Sequence, residues 1–143
     1  MDREYEEIVV RSFFQKRIRD RVLWELGNEK KRDDALWRLT HRYNEHLIQK
    51  YMIEVSNHKH CTKHPDDKEI FSLLKSHGAK DDCYAISFNK KIDGQFLTLK
   101  EALKEAVDYS WPSIISCIPG KLAYFEGESG FGFPPRFILK RDY

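Results

Sequence analysis

A chain of 143 residues with 41% hydrophobic and 13% aromatic side chains closes a core without disulfides, burying roughly two-thirds of the surface that its unfolded form exposes. Its 25 basic and 23 acidic residues leave a formal charge of +2, which excludes a strong overall field for polyanions or anionic membranes and confines any such attraction to a local patch. No apolar run approaches the roughly 20 residues of a transmembrane helix, and the stretch from Met1 to Glu7 is acidic where a secretory leader is basic, so a soluble cytoplasmic protein with no membrane partner is expected.

From Glu4 to Leu26, Val10, Phe14, Ile18, Val22 and Leu26 recur every fourth position and predict one helix, stopped by Gly27. A second helix is expected from Asp33 to Met52, where Leu36, Leu39, Tyr43 and Leu47 step by three and four and Asp33 and Asp34 sit at the positive end. The short Gly27 to Arg32 link makes the pair an antiparallel hairpin. Residues 56–67 are polar and rich in histidine. Pro65 opens a third helix that carries Ile70, Leu73 and Leu74 and closes at Gly78.

The period then shortens towards strands. Cys83 to Phe88 is a β-rich run, stopped by Asn89 and later by Asp93-Gly94. Thr98 with Glu101 forms a capping box for a fourth helix, whose buried face is Leu99, Ala102, Leu103, Ala106 and Val107. Ser113 to Ile118 and Lys121 to Glu126 read as a hairpin turning at Pro119-Gly120, and Phe137 to Lys140 as a last strand. The expectation is a single α+β domain over residues 1–143, with an N-terminal helical hairpin and further helices on one side of a small, mainly antiparallel sheet of about four strands.

No motif passes a geometric test for catalysis, so the sequence names no activity and implies no cofactor. Gly130-Phe131-Gly132-Phe133 overlaps the pattern by which RNA-recognition domains stack bases, yet Ser129 replaces a basic residue, Pro134 and Pro135 break the strand, and Arg136 replaces the final aromatic. Phe131 and Phe133 are therefore candidates for a partner-binding loop. The nearby glycines precede prolines and a strand, whereas a phosphate loop requires a helix there. His58, His60, Cys61 and His64 are candidate metal ligands, although Lys59 and Lys63 interleave positive charge. His41 and His46 lie five apart, rotated by about 140°, and so do not form a zinc-protease helix, while His41 and Glu45 share a face. Cys83 and Cys117 lie on or near strands, and the three widely spaced cysteines fit a reducing compartment.

The remaining feature is basic. Between Arg11 and Arg21, five basic side chains against Asp20 give a local +4. Arg17 and Arg21 fall about 40° apart beside the apolar stripe. Lys30, Lys31, Arg32 and Arg38 extend this surface into a candidate anion-binding face. The leading expectation is a non-enzymatic module that recognises another protein. A nucleic acid or phosphate ligand on the basic face is the second, and an enzyme whose residues meet only in the fold the third.

Overall fold

In the computed structural model, which describes residues 1–55, 65–128 and 134–141, Asp2 starts the first helix. Its carboxylate accepts the Tyr5 N–H at 2.9 Å, and Glu4 and Glu6 place negative charge in the first turn of α1 (Arg3–Phe13). The expected single helix is broken after Phe13. Phe14 is extended, at φ −103° and ψ 149°, and α2 (Lys16–Gly27) begins afresh behind it. The backbone groups released at the break are taken up by the chain near Leu47: Gln15 donates to His46 O and Ile48 to Phe13 O, both at 2.8 Å. Phe14 stays buried on the same side as Val10 and Ile18, so the apolar stripe runs through the break unchanged.

The second expected helix is also shorter. α3 (Arg32–His41) ends at Arg42, and two single turns of 3-10 helix (Tyr43–His46 and Gln49–Tyr51) lead into β1 (Met52–Glu54). α4 (Asp67–Ser76) is capped by Asp66, which accepts the Glu69 N–H at 2.9 Å, and the chain leaves it through Gly78 at φ +99°. β2 (Asp82–Ser87) and β3 (Gln95–Thr98) follow, and Thr98 caps α5 (Leu99–Ala106) through a 3.1 Å bond from Glu101 N–H. β4 (Ser113–Ile118) and β5 (Leu122–Glu126) turn at Gly120, φ +71°, and β6 (Arg136–Lys140) closes the described chain.

The six strands form one sheet in the order β1-β6-β5-β4-β2-β3, and every neighbouring pair is antiparallel. The α+β class stands, with six strands where about four were expected; the two additional ones, β1 and β3, are the short edges. Helices cover both faces of the sheet, not one. Tyr84, Ile86, Ile114 and Phe125 pack against α1, α2 and α3, while Cys83, Ala85, Ile115 and Tyr124 pack against α4 and α5. Double burial is why β2, β4 and β5 read as continuous apolar runs and not as alternating ones. Among the described residues no helix is long and apolar enough to cross a membrane.

Candidate functional site

One end of the sheet, where β2 and β5 finish and β4 and β6 begin, collects aromatic side chains at the surface. Phe88 follows β2 and donates its N–H to Pro112 O at 3.0 Å, which brings Trp111 beside it. The two rings stack with centroids 5.0 Å apart. Tyr109 projects from the same α5–β4 connection and is 41% exposed. α3 lies across this end, because Arg32 and Asp33 reach the segment after β2 while His41 reaches the segment after β5. Its outer face presents Trp37, 49% exposed and packed on His41 at 4.9 Å, and His41 Nε2 lies 3.6 Å from Glu128 Oε2.

The loop that carries Tyr109 is strained and held from beneath. Asp108 and Ser110 both have positive φ, 63° and 77°, a conformation that disfavours non-glycine residues by roughly 1–2 kcal/mol each. Asp108 N–H donates to Glu126 Oε2 at 2.7 Å, and its carboxylate accepts from Arg136 Nη2. Glu126 is fully buried and also accepts from Tyr124 OH at 2.7 Å and Arg136 Nε at 3.0 Å. Arg136 Nη1 donates to Pro65 O at 2.9 Å, tying the α4 entrance to the cluster. Burial pushes the Glu126 carboxyl up from its ordinary value, and the bonds from Tyr124, Arg136 and Asp108 oppose that push.

A second buried cluster removes one member of the basic face. Arg32 is 3% exposed and uses all five guanidinium donors: two to Glu6 at 2.7 Å, two to Asp93 at 2.8 and 2.9 Å, and one to Leu26 O at 3.1 Å. As an anion-binding residue Arg32 is therefore corrected: it is a core ion-pair residue with no donor left for a ligand. Lys30 and Lys31 sit in the α2–α3 link, and Lys31 Nζ lies 4.0 Å from Asp34. Arg21 and Arg38 converge on the buried Glu25, which also accepts from Tyr43 OH, and Arg17 lies 3.4 Å from His46 Nδ1. Two of the six predicted cations, Arg21 and Arg38, thus meet at one carboxylate, and Arg17 stands one turn before Arg21 on α2.

His41 and Glu45 do not share a helix face, because α3 stops at His41; the imidazole turns to Glu128 instead. His58, His60, Cys61 and His64, together with Phe131 and Phe133, lie outside the described residues. Among the described residues no group of three or more His, Cys, Asp or Glu is placed to hold a metal ion. Cys83 and Cys117 are buried; burial pushes the Cys83 thiol up to about 12 and the Cys117 thiol higher still. Sequence reasoning passed over Trp37, Tyr109 and Trp111, although Asp108-Tyr109-Ser110-Trp111-Pro112 combines turn-forming residues with two aromatics between a helix and a strand. No family model matches the chain, and neither the curated proteins nor the solved structures include a significant match.

Proposed function

We propose that this chain is a non-enzymatic protein-recognition module whose contact surface is the aromatic end of the sheet. The observation that carries this reading is Tyr109, held out towards solvent on a strained loop that the buried Glu126–Arg136 pair locks in place, with Trp37 and the Phe88–Trp111 stack at the same end. Tryptophan and tyrosine supply large contact areas for little lost side-chain freedom and dominate the energetics of protein interfaces. A loop fixed before binding has no ordering entropy left to lose. The buried ionisable groups support the same reading because they are engaged with one another: Glu6 and Asp93 with Arg32, Glu25 with Arg38, and Glu126 with Arg136. The buried thiols suit work in a reducing cytoplasm.

The test is capture from native-host lysate with nuclease present, comparing the intact chain with a Trp37→Ala, Tyr109→Ala variant of unchanged circular dichroism. A protein partner retained by the first and lost by the second is the expected result. Equal capture by both overturns the assignment of this surface.

A second reading places an anion on α2. Arg21 and Arg38 share the single carboxylate of Glu25, and Arg17 stands one turn before Arg21 on α2, so this stretch keeps positive charge in excess. Phosphate binding there would weaken steeply with salt. Nucleic acid or phosphate affinity that is flat in salt, or unchanged in an Arg17→Ala, Arg21→Ala variant, removes this reading.

A further inference from the structure

Among the described residues β3 is an edge strand with backbone hydrogen-bonding capacity left over beside a large exposed apolar side chain. Leu99 N–H donates to Asp81 O at 2.7 Å, and the β2–β3 register pairs Cys83 with Leu97 and Tyr84 with Phe96. Hydrogen-bonded and non-bonded pairs alternate along an antiparallel ladder, so Leu97 faces Cys83 in a bonded pair and Phe96 turns both its N–H and its C=O away from the sheet. The other side of β2 agrees: Phe88 N–H bonds to Pro112 O, which by the same alternation assigns Tyr84 and Ile86 to β4 and leaves Cys83 and Ala85 for β3.

The side chains at this edge are as exposed as the backbone. Met1 and Phe96, at 72% and 59%, are the two most exposed large apolar residues described, and Met1 lies against Gly94, two residues before Phe96: a Cβ on Gly94 would fall 2.5 Å from Met1 Cγ. Phe96 packs edge-on against Tyr5 and Tyr84 at 5.3 and 4.7 Å, which holds it upright on the α1 face. An open groove of about 810 Å³ runs along β3 towards α5, and Phe96, Ile92 and Leu97 are among its lining. Asp82, Lys91, Glu101 and Lys104 line it, and none of them is in an ion pair with another described residue. Natural sheets guard such edges with lysine or proline, and Gln95-Phe96-Leu97-Thr98 has neither.

We infer that β3 is the interface with a second copy of this chain, two β3 strands pairing antiparallel about a two-fold axis at Phe96 and joining two six-stranded sheets. A residue that turns both its N–H and its C=O outward pairs with its own symmetry mate by exchanging both bonds, so the two-fold arrangement satisfies Phe96 completely. It also sets the two phenyl rings side by side, a favourable cross-strand pair. A surface that meets itself needs charges of both signs, and the groove supplies Asp82, Glu101, Lys91 and Lys104, none in an ion pair with another described residue, beside Glu105, which accepts from Asn89. This inference rests on the β3 edge and not on the aromatic rings at the end of the sheet, so the two are tested separately.

Sedimentation of the full chain from micromolar to sub-millimolar concentration tests it, with amide exchange at Phe96 followed in parallel. The expected result is a species of twice the 17.1 kDa chain mass and a Phe96 amide whose protection rises with concentration. Phe96→Pro deletes an N–H that no described residue accepts, and it should raise the dimer dissociation constant by about tenfold or more while circular dichroism stays unchanged. Should that variant fail to fold, Phe96→Lys keeps the backbone, sets like charges together at the axis and should also give a monomer. A monomer throughout the range overturns the inference and leaves the edge to an extended segment of another protein. A dimer that both substitutions leave intact overturns it as well.

Discussion

Arg32 and Glu6, 26 residues apart in the chain, meet in two parallel hydrogen bonds of 2.7 Å each, and Tyr84 OH donates to the same carboxylate at 2.5 Å. The pair ties the start of α3 to α1, and through Asp93 it extends to the β2–β3 connection and to the end of β2, where Ser87 N–H donates to Asp93 Oδ1 at 2.9 Å. Two carboxylates and one guanidinium, all buried, thus join the helical layer to the sheet.

Removing that guanidinium should be among the most damaging single changes. Arg32→Met leaves Glu6 and Asp93 buried against each other with no cation between them, a loss of roughly 3–5 kcal/mol by analogy with other broken buried pairs. Arg32→Lys keeps the charge but offers a point donor where two planar forks are needed, and should recover only part of the loss. Urea denaturation midpoints for the three proteins decide this; a Met variant within about 1 kcal/mol of the parent would show that the cluster is dispensable.

Glu126 supplies a pH dependence of known sign. Unfolded, its carboxyl titrates near 4.5; folded, burial holds the value higher. Between the two values the folded protein keeps a proton that the unfolded chain has released. Its contribution is therefore complete below pH 4.5 and is lost as pH rises through the folded value. Relative to a Glu126→Gln variant, the parent should lose stability above pH 4.5 with a slope of at most about 1.4 kcal/mol per pH unit. Parallel stability–pH curves for the two proteins would contradict this.

Much of this architecture is legible in the residues. Thr98 with Glu101, Gly78 after α4 and the Pro119-Gly120 turn act locally, and each stands where expected. The break at Phe14 is not legible, because Gln15 makes no side-chain cap and the groups that compensate the broken helix come from His46 and Ile48. β1 is not legible: the helix expected from Asp33 runs to Met52, and the strand geometry of the three residues from Met52 to Glu54 is imposed by pairing with β6. Arg32 read as one more cation of a basic surface because its partners, Glu6 and Asp93, are remote in sequence.

The two positive-φ residues that flank Tyr109 should respond differently to glycine. Ser110→Gly relieves a strain of roughly 1–2 kcal/mol, offset by about 0.5–1 kcal/mol of extra unfolded-state freedom, and should leave stability equal or slightly higher. Asp108→Gly relieves similar strain but deletes the carboxylate that meets Arg136, and should be the less stable of the two. Thermal unfolding of both variants orders them. If Ser110→Gly is also the weaker binder of a protein partner, loop rigidity and affinity are linked as the strained backbone implies.

The buried thiols report on opening of the sheet. Cys83 lies on β2 with Sγ 3.5 Å from Leu97 O, and its thiol is pushed up to about 12 by burial and, secondarily, by Asp82, while Cys117 on β4 is more deeply buried. A thiolate is the attacking form in disulfide exchange, so both groups are protected twice, by access and by protonation. In a Cys61→Ser background, a disulfide reagent at neutral pH should label neither cysteine until the fold opens, and denaturant should release both in one step with the loss of circular dichroism. Cys83 lies on the strand that pairs with β3. Were its labelling to precede global unfolding and slow as protein concentration rises, the β3 edge would open locally in the monomer and be held shut by a second copy.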